Sequence, residues 1–171
     1  MNPGVQASDF RHMYDFVDLR KKKQLCTINN NSLMGIIGNN SDFGIFTNII
    51  KKAGYESVLF DIQSDYTIFV PSDEKLRMKY NQTFLDNIGK GSAIKILEFS
   101  MMNRKIDQNL LQRSPISIFP TINRSKSIRI KTINDTTIIH NDTTIIHFNH
   151  LADNGIIHVI DDLLIPENTI C

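Results

Sequence analysis

Residues 154–166 read Asn-Gly-Ile-Ile-His-Val-Ile-Asp-Asp-Leu-Leu-Ile-Pro, and few positions in a fold accept such a run. Asn-Gly is a turn signal, since both residue types tolerate positive φ. In the strand that follows, Ile156, His158 and Ile160 share one face, and Ile157, Val159 and Asp161 share the other. Both faces are mostly apolar, which predicts a central strand covered on both sides. His158 stands between two isoleucines and so requires a hydrogen-bond partner in the interior. Asp161-Asp162 interrupts the run, Leu163 to Ile165 resumes it, and Pro166 ends it by removing a ladder donor.

The elements that would cover this strand lie upstream. Phe43, Phe46, Ile49 and Ile50 fall on one helical stripe. Ser41 or Asp42 supplies the N-cap, Lys51 and Lys52 suit the last turn, and Gly54 can close it in the left-handed region. Thr67 to Val70 is a β-branched and aromatic strand stopped by Pro71, after which Ser72 or Asp73 caps a new helix. Residues 74–102 read as mainly helical, broken at Gly89-Lys90-Gly91. Ile116 to Phe119 and Ser127 to Ile133 read as strands. In the second, Ile128 and Ile130 oppose Arg129 and Lys131. An identical tandem repeat follows, Asn134-Asp-Thr-Thr-Ile-Ile-His140 and Asn141-Asp-Thr-Thr-Ile-Ile-His147. Its odd period prevents the two copies from showing the same face along one strand, so a turn between them is required. An Asn141-Asp142 turn pairs His140 with Thr143, Ile138 with Ile145 and Thr136 with His147.

Segment 1–35 is polar and patterned only by Phe10, Met13, Tyr14 and Val17 at helical spacing. Its basic run, Arg20 to Lys23, is either a localisation signal or a solvated helix end. No apolar h-region follows that run, so no signal peptide is visible, and no segment is long and apolar enough to span a membrane. The expectation is an intracellular chain or one that lacks its native leader. The formal net charge of +1 argues against a general nucleic-acid or anionic-membrane binder. Cys26 and Cys171 form either one bridge between the tails or two free thiols. Six Asn-x-Ser/Thr sequons occur, with Asn81 and Asn141 as glycosylation candidates if the chain enters the secretory pathway.

Two junctions carry a family resemblance. Thr67-Ile-Phe-Val-Pro-Ser-Asp73 resembles the first signature of the fasciclin (FAS1) family, T-[VI]-F-A-P-[TS]-[DN]. Asn154-Gly-Ile-Ile-His-Val-Ile-Asp161 resembles the second, N-G-[VI]-[IV]-H-V-I-D. They stand in the family's order, with the Phe46-Ile49-Ile50-Gly54 helix where its opening helix would be. The resemblance implies an α+β fold, a FAS1-type wedge of two β-sheets with a packed helical layer. It divides the chain into a 1–35 extension, a 36–167 domain and a 168–171 tail. Thr67, Phe69, Pro71, Ser72, Asp73, Asn154, Gly155, His158 and Asp161 become its structural signature. It implies a non-enzymatic adhesion module, secreted or at the cell surface, that binds a protein or carbohydrate ligand and needs no cofactor. The chain departs from the family at two places. Phe99-Ser100 stands where members often carry Tyr-His, and Asn149 to Asp153 lacks the Asp-Ile pair associated with integrin binding.

Competing chemistry is weaker. His140, His147, His150 and His158 are close in sequence, but metal binding needs converging ligands, and the hairpin separates His140 from His147. Ser72 or Ser100, His158 and Asp161 could be written as a hydrolase triad, but there is no nucleophile elbow, and His158 and Asp161 face opposite ways. The alternative to an adhesion module is an intracellular structural subunit that reuses the fold within a larger assembly.

Overall fold

The computed structural model describes residues 30–166, apart from 124 and 141. The readings placed on Phe10 to Val17, Arg20 to Lys23, Cys26, Asn141 and Cys171 lie outside the described residues. The chain divides at Asn30, and the architecture is that of the unit Asn31–Cys171.

Short helices come first: α1 (Leu33–Gly38), a 3-10 turn (Ser41–Phe43), α2 (Gly44–Ala53) and α3 (Glu56–Phe60). Strand β1 (Tyr66–Pro71) follows, then α4 (Asp73–Lys79), α5 (Gln82–Asp86), α6 (Lys90–Phe99), the two-residue β2 (Met101–Met102) and α7 (Gln108–Leu111). The remainder is β3 (Ile116–Pro120), β4 (Ser127–Ile133), β5 (Thr136–Ile139), β6 (Thr143–Ala152) and β7 (Gly155–Ile160). The α2 stripe is buried as its spacing predicts, and Gly54 closes that helix at φ 76°. Met101–Met102 is a correction to the helical reading of 74–102, since α6 ends at Phe99 and these two residues pair with Thr67 and Ile68.

The seven strands form one mixed sheet in the order β2-β1-β7-β6-β5-β4-β3. The last strand therefore sits inside the sheet, parallel to β1 from Tyr66↔Gly155 to Pro71↔Ile160 and antiparallel to β6. Strand β6 joins the two halves. Its first residues pair with β5, and its later ones pair with β7 across two register shifts. The alternate faces of β1 and β7 then feed two cores. Ile68, Val70, Ile157 and Val159 pack under the helices with Leu33, Phe46, Ile50 and Leu97. Phe69 and Ile160 pack with Phe119, Ile128, Ile130 and Ile139 of the other half-sheet. A helical layer, one half-sheet and a second half-sheet are thus stacked around β7. Alternation in a central strand demands this arrangement, because each face needs its own apolar partner.

The repeat hairpin differs from its predicted register. Ile139 pairs with Thr143 and Ile138 with Thr144, leaving a three-residue loop at 140–142. His140 and Asp142 take positive φ, 58° and 122°. Shifting the register by one residue exchanges the faces. Thr137 and Ile139 of the first copy and Thr143 and Ile145 of the second are buried, so the two copies bury opposite positions of the repeat.

Candidate functional site

Hydrogen bonding occupies the polar side chains of the two signatures. Thr67 Oγ1 accepts from Ile106 N at 2.7 Å and donates to Arg104 O at 2.6 Å. His158 lies opposite Phe69 in the β1–β7 ladder and is fully buried. Its Nε2 is 2.7 Å from Ile106 O, and its Nδ1 accepts from Asn149 N at 3.1 Å. A carbonyl partner fixes the proton on Nε2 and leaves Nδ1 as the acceptor. Neighbouring strands therefore hold both backbone polar groups of Ile106, itself buried. Burial pulls the His158 pKa below its usual 6.5, against the Ile106 carbonyl and the charge of Asp107, which favour the cation.

Asn154 is buried rather than merely a turn residue, and the β6–β7 turn is Asp153–Asn154, one position earlier than the Asn-Gly signal suggests. Its Oδ1 accepts from Leu33 N at 2.7 Å, and its Nδ2 donates to Leu59 O at 2.8 Å and Asp61 O at 3.1 Å. One side chain thus ties the turn to α1 and to the end of α3. Gly155 starts β7 where a Cβ would lie 2.0 Å from Tyr66 O, so no other residue fits beside β1. Asp161 Oδ1 accepts from Thr144 N at 2.9 Å, which clasps the end of β7 to β6.

Two carboxylates act across elements. Ser72 caps α4 through Lys75 N at 3.4 Å. Asp73 instead turns away, and its Oδ1 accepts from Ile45 N in the first turn of α2 at 2.8 Å. Asp162 receives Tyr80 Oη at 2.7 Å and Lys79 Nζ at 2.9 Å, fastening the exit from β7 to α4. Burial first, and then the Asp162 bond, push the Tyr80 pKa up.

None of these groups forms a reactive set. Ser100 Oγ donates to Ile96 O, Ser72 caps a helix, His158 is held by backbone groups at both nitrogens, and Asp161 holds Thr144. Among the described residues no three His, Cys, Asp or Glu side chains converge on a metal position. Asn81, a glycosylation candidate, is exposed and uses its side chain to cap α5 through Phe84 N. Phe99, at the family's usual Tyr position, is buried with its ring edge-on to His140.

The concave surface lies elsewhere. A groove of about 910 Å³ runs between the bulged part of β6 and the start of α4. Ile146, His147, Phe148, Asn149, His150 and Leu151 form one wall, and Asn40, Asp42, Ser72, Glu74 and Lys75 form the other. Two features of the fold create it. The β5–β6 pairing ends at Ile138↔Thr144, so the later part of β6 has no β5 partner on that side. His158 fixes the bulge, because its Nδ1 holds Asn149 N while Asn149 Oδ1 accepts from Gln108 N at 2.9 Å. Asn149 takes φ 62° there. Sequence reasoning missed this wall, although Phe148 and Leu151 within a polar strand were a usable signal.

Residues 41–166 match the Fasciclin domain family. The chain is similar to mouse stabilin-2, with 29% identity over 103 residues that span 60% of this chain and 4% of that protein. Its fold is similar to a FAS1 domain pair from the insect cell adhesion molecule fasciclin I, with a TM-score of 0.70 at 22% identity. That likeness covers 82% of this chain and 53% of the other.

Proposed function

The chain belongs to the fasciclin domain family, and from that membership we propose that it is a non-enzymatic adhesion module whose groove beside β6 receives a protein or carbohydrate ligand. One observation carries the reading. The polar residues of the two signatures are spent on internal bonds, while the groove presents Ile146 and Leu151 to solvent beside unburied polar groups. Concave sites that mix apolar and polar walls are the default ligand positions of a domain. Likeness of fold to a domain pair of a cell adhesion molecule supports the same reading. Such a module acts at the cell surface or in secreted material. No helix among the described residues is long and apolar enough to cross a membrane.

Coating a surface with the whole chain and measuring cell attachment and glycan-array binding tests this. Wild type is expected to retain cells or a defined glycan. Leu151→Asp with Ile146→Asp is expected to remove that binding without lowering the melting temperature. Full retention by the double variant would exclude the groove. Staining confined to the interior of permeabilised cells would exclude the surface role.

A further inference from the structure

The net charge of +1 conceals a local concentration of positive charge. From Gln112 to Asn134 the sequence carries Arg113, Arg124, Lys126, Arg129 and Lys131 and no acidic residue. This segment contains β3 and β4, and β3 is the outermost strand of the sheet. Its outward face is apolar as well as basic. Ile116 is 49% exposed, Ile118 68% and Ile133 50%. Ile116 stands opposite Lys131 and Ile118 opposite Arg129.

The register also states which backbone groups are open. Thr132 N donates to Pro115 O, and Thr121 N donates to Lys126 O. In an antiparallel ladder every second residue turns its N–H and C=O toward its neighbour. Ser117 and Phe119 therefore bond to β4, and Ile116 and Ile118 direct their N–H and C=O groups away from it. Among the described residues no strand pairs with that side of β3. Exposed edges are blunted by charge, by proline or by brevity. Here β3 is uncharged, its last residue Pro120 removes one donor from the open side, Ile116 and Ile118 keep theirs, and the cations stand one strand inward.

We propose that the outer edge of β3 docks an extended acidic segment of another protein, which adds to the sheet as a further strand. The open N–H and C=O groups of Ile116 and Ile118 supply backbone pairing, Ile116 and Ile118 pack against alternate side chains, and Arg129 and Lys131 attract the carboxylates. A second copy of this chain fits poorly, because edge-to-edge pairing would set two acid-free basic hairpins side by side. A lipid surface or sulfated glycan would use the cations but not the row of backbone groups. This surface is separate from the groove and does not depend on it.

The test uses the full chain and a fluorescent peptide of roughly nine alternating Glu and Val residues, long enough to span the edge at the usual strand rise. Anisotropy is expected to report saturable binding that weakens with salt. A Lys-for-Glu peptide, and a Glu peptide N-methylated at alternate residues, are each expected to bind at least about tenfold more weakly. Arg129→Glu with Lys131→Glu, both exposed, is expected to lower affinity for the Glu peptide by a similar factor at an unchanged melting temperature. The proposal is overturned by absence of Glu-peptide binding at millimolar concentration. Equal binding of the N-methylated form, or binding to phosphatidylserine vesicles but not to peptide, overturns it too. So does a dimer in sedimentation that charge reversal leaves intact.

Discussion

At the scale of single residues, stability rests on a few buried polar atoms with assigned partners. His158→Ala leaves the Ile106 carbonyl and the Asn149 amide without partners and opens a cavity. A loss of about 1–3 kcal/mol is expected by chemical denaturation. The same imidazole sets a pH dependence. Its folded pKa is depressed, so as pH falls below 6.5 the unfolded chain takes the proton first. Stability present above 6.5 is then lost on acidification, by up to ~1.4 kcal/mol per pH unit until the folded pKa is reached. Subtracting the His158→Ala pH profile from wild type should isolate that slope, and parallel profiles would refute it. Gly155→Ala forces a Cβ onto the Tyr66 carbonyl and is expected to cost at least ~3 kcal/mol, seen as loss of the folded species at physiological temperature. The need for a partner at His158 was legible from two flanking isoleucines. The choice of Ile106 and Asn149 was not, since one lies in a loop and the other in a strand bulge, and no local pattern encodes where either is placed.

At the scale of elements, Asp73 separates a local rule from a tertiary one. Sequence pattern allowed Ser72 or Asp73 as the cap of α4, and Ser72 takes that place. Asp73 caps the neighbouring α2 instead, where its charge also meets the favourable end of the helix dipole. Asp73→Ala should therefore destabilise by about 1–3 kcal/mol and more than Ser72→Ala, whose bond is long. The reverse order in paired thermal melts would contradict the assignment. The repeat hairpin makes the same point. Its strands are readable, but its loop has three residues where the pattern predicts two, and every facing pair differs. Asn141-Asp142 lacks the glycine that would have fixed a two-residue turn, so residue pattern alone left the register open. Strand β4 was legible because alternation reports burial directly, and β7 because an apolar run on both faces reports a strand covered on both sides. The groove was not, because it arises where the β5–β6 pairing ends and β6 bulges over His158, and only the assembled fold shows either.

For the whole molecule, the position of β7 governs cooperativity. The last strand lies inside the sheet between β1 and β6, so both cores remain open until the C-terminal part of the chain arrives. A chain cut after Asp153 is expected to show no cooperative thermal transition, and a sharp transition in that fragment would disprove the dependence. The same placement has a mechanical meaning. Asp153 N bonds to Asn31 O and Leu33 N to Asn154 Oδ1 at one end of β7, and Asp162 is fastened to α4 at the other. Tension entering at residue 31 and leaving at residue 166 runs along β7. It must shear the ladders on both sides together, whereas a pull across β3 and β4 would unzip them one bond at a time. A domain built this way resists load along its own chain and yields sideways.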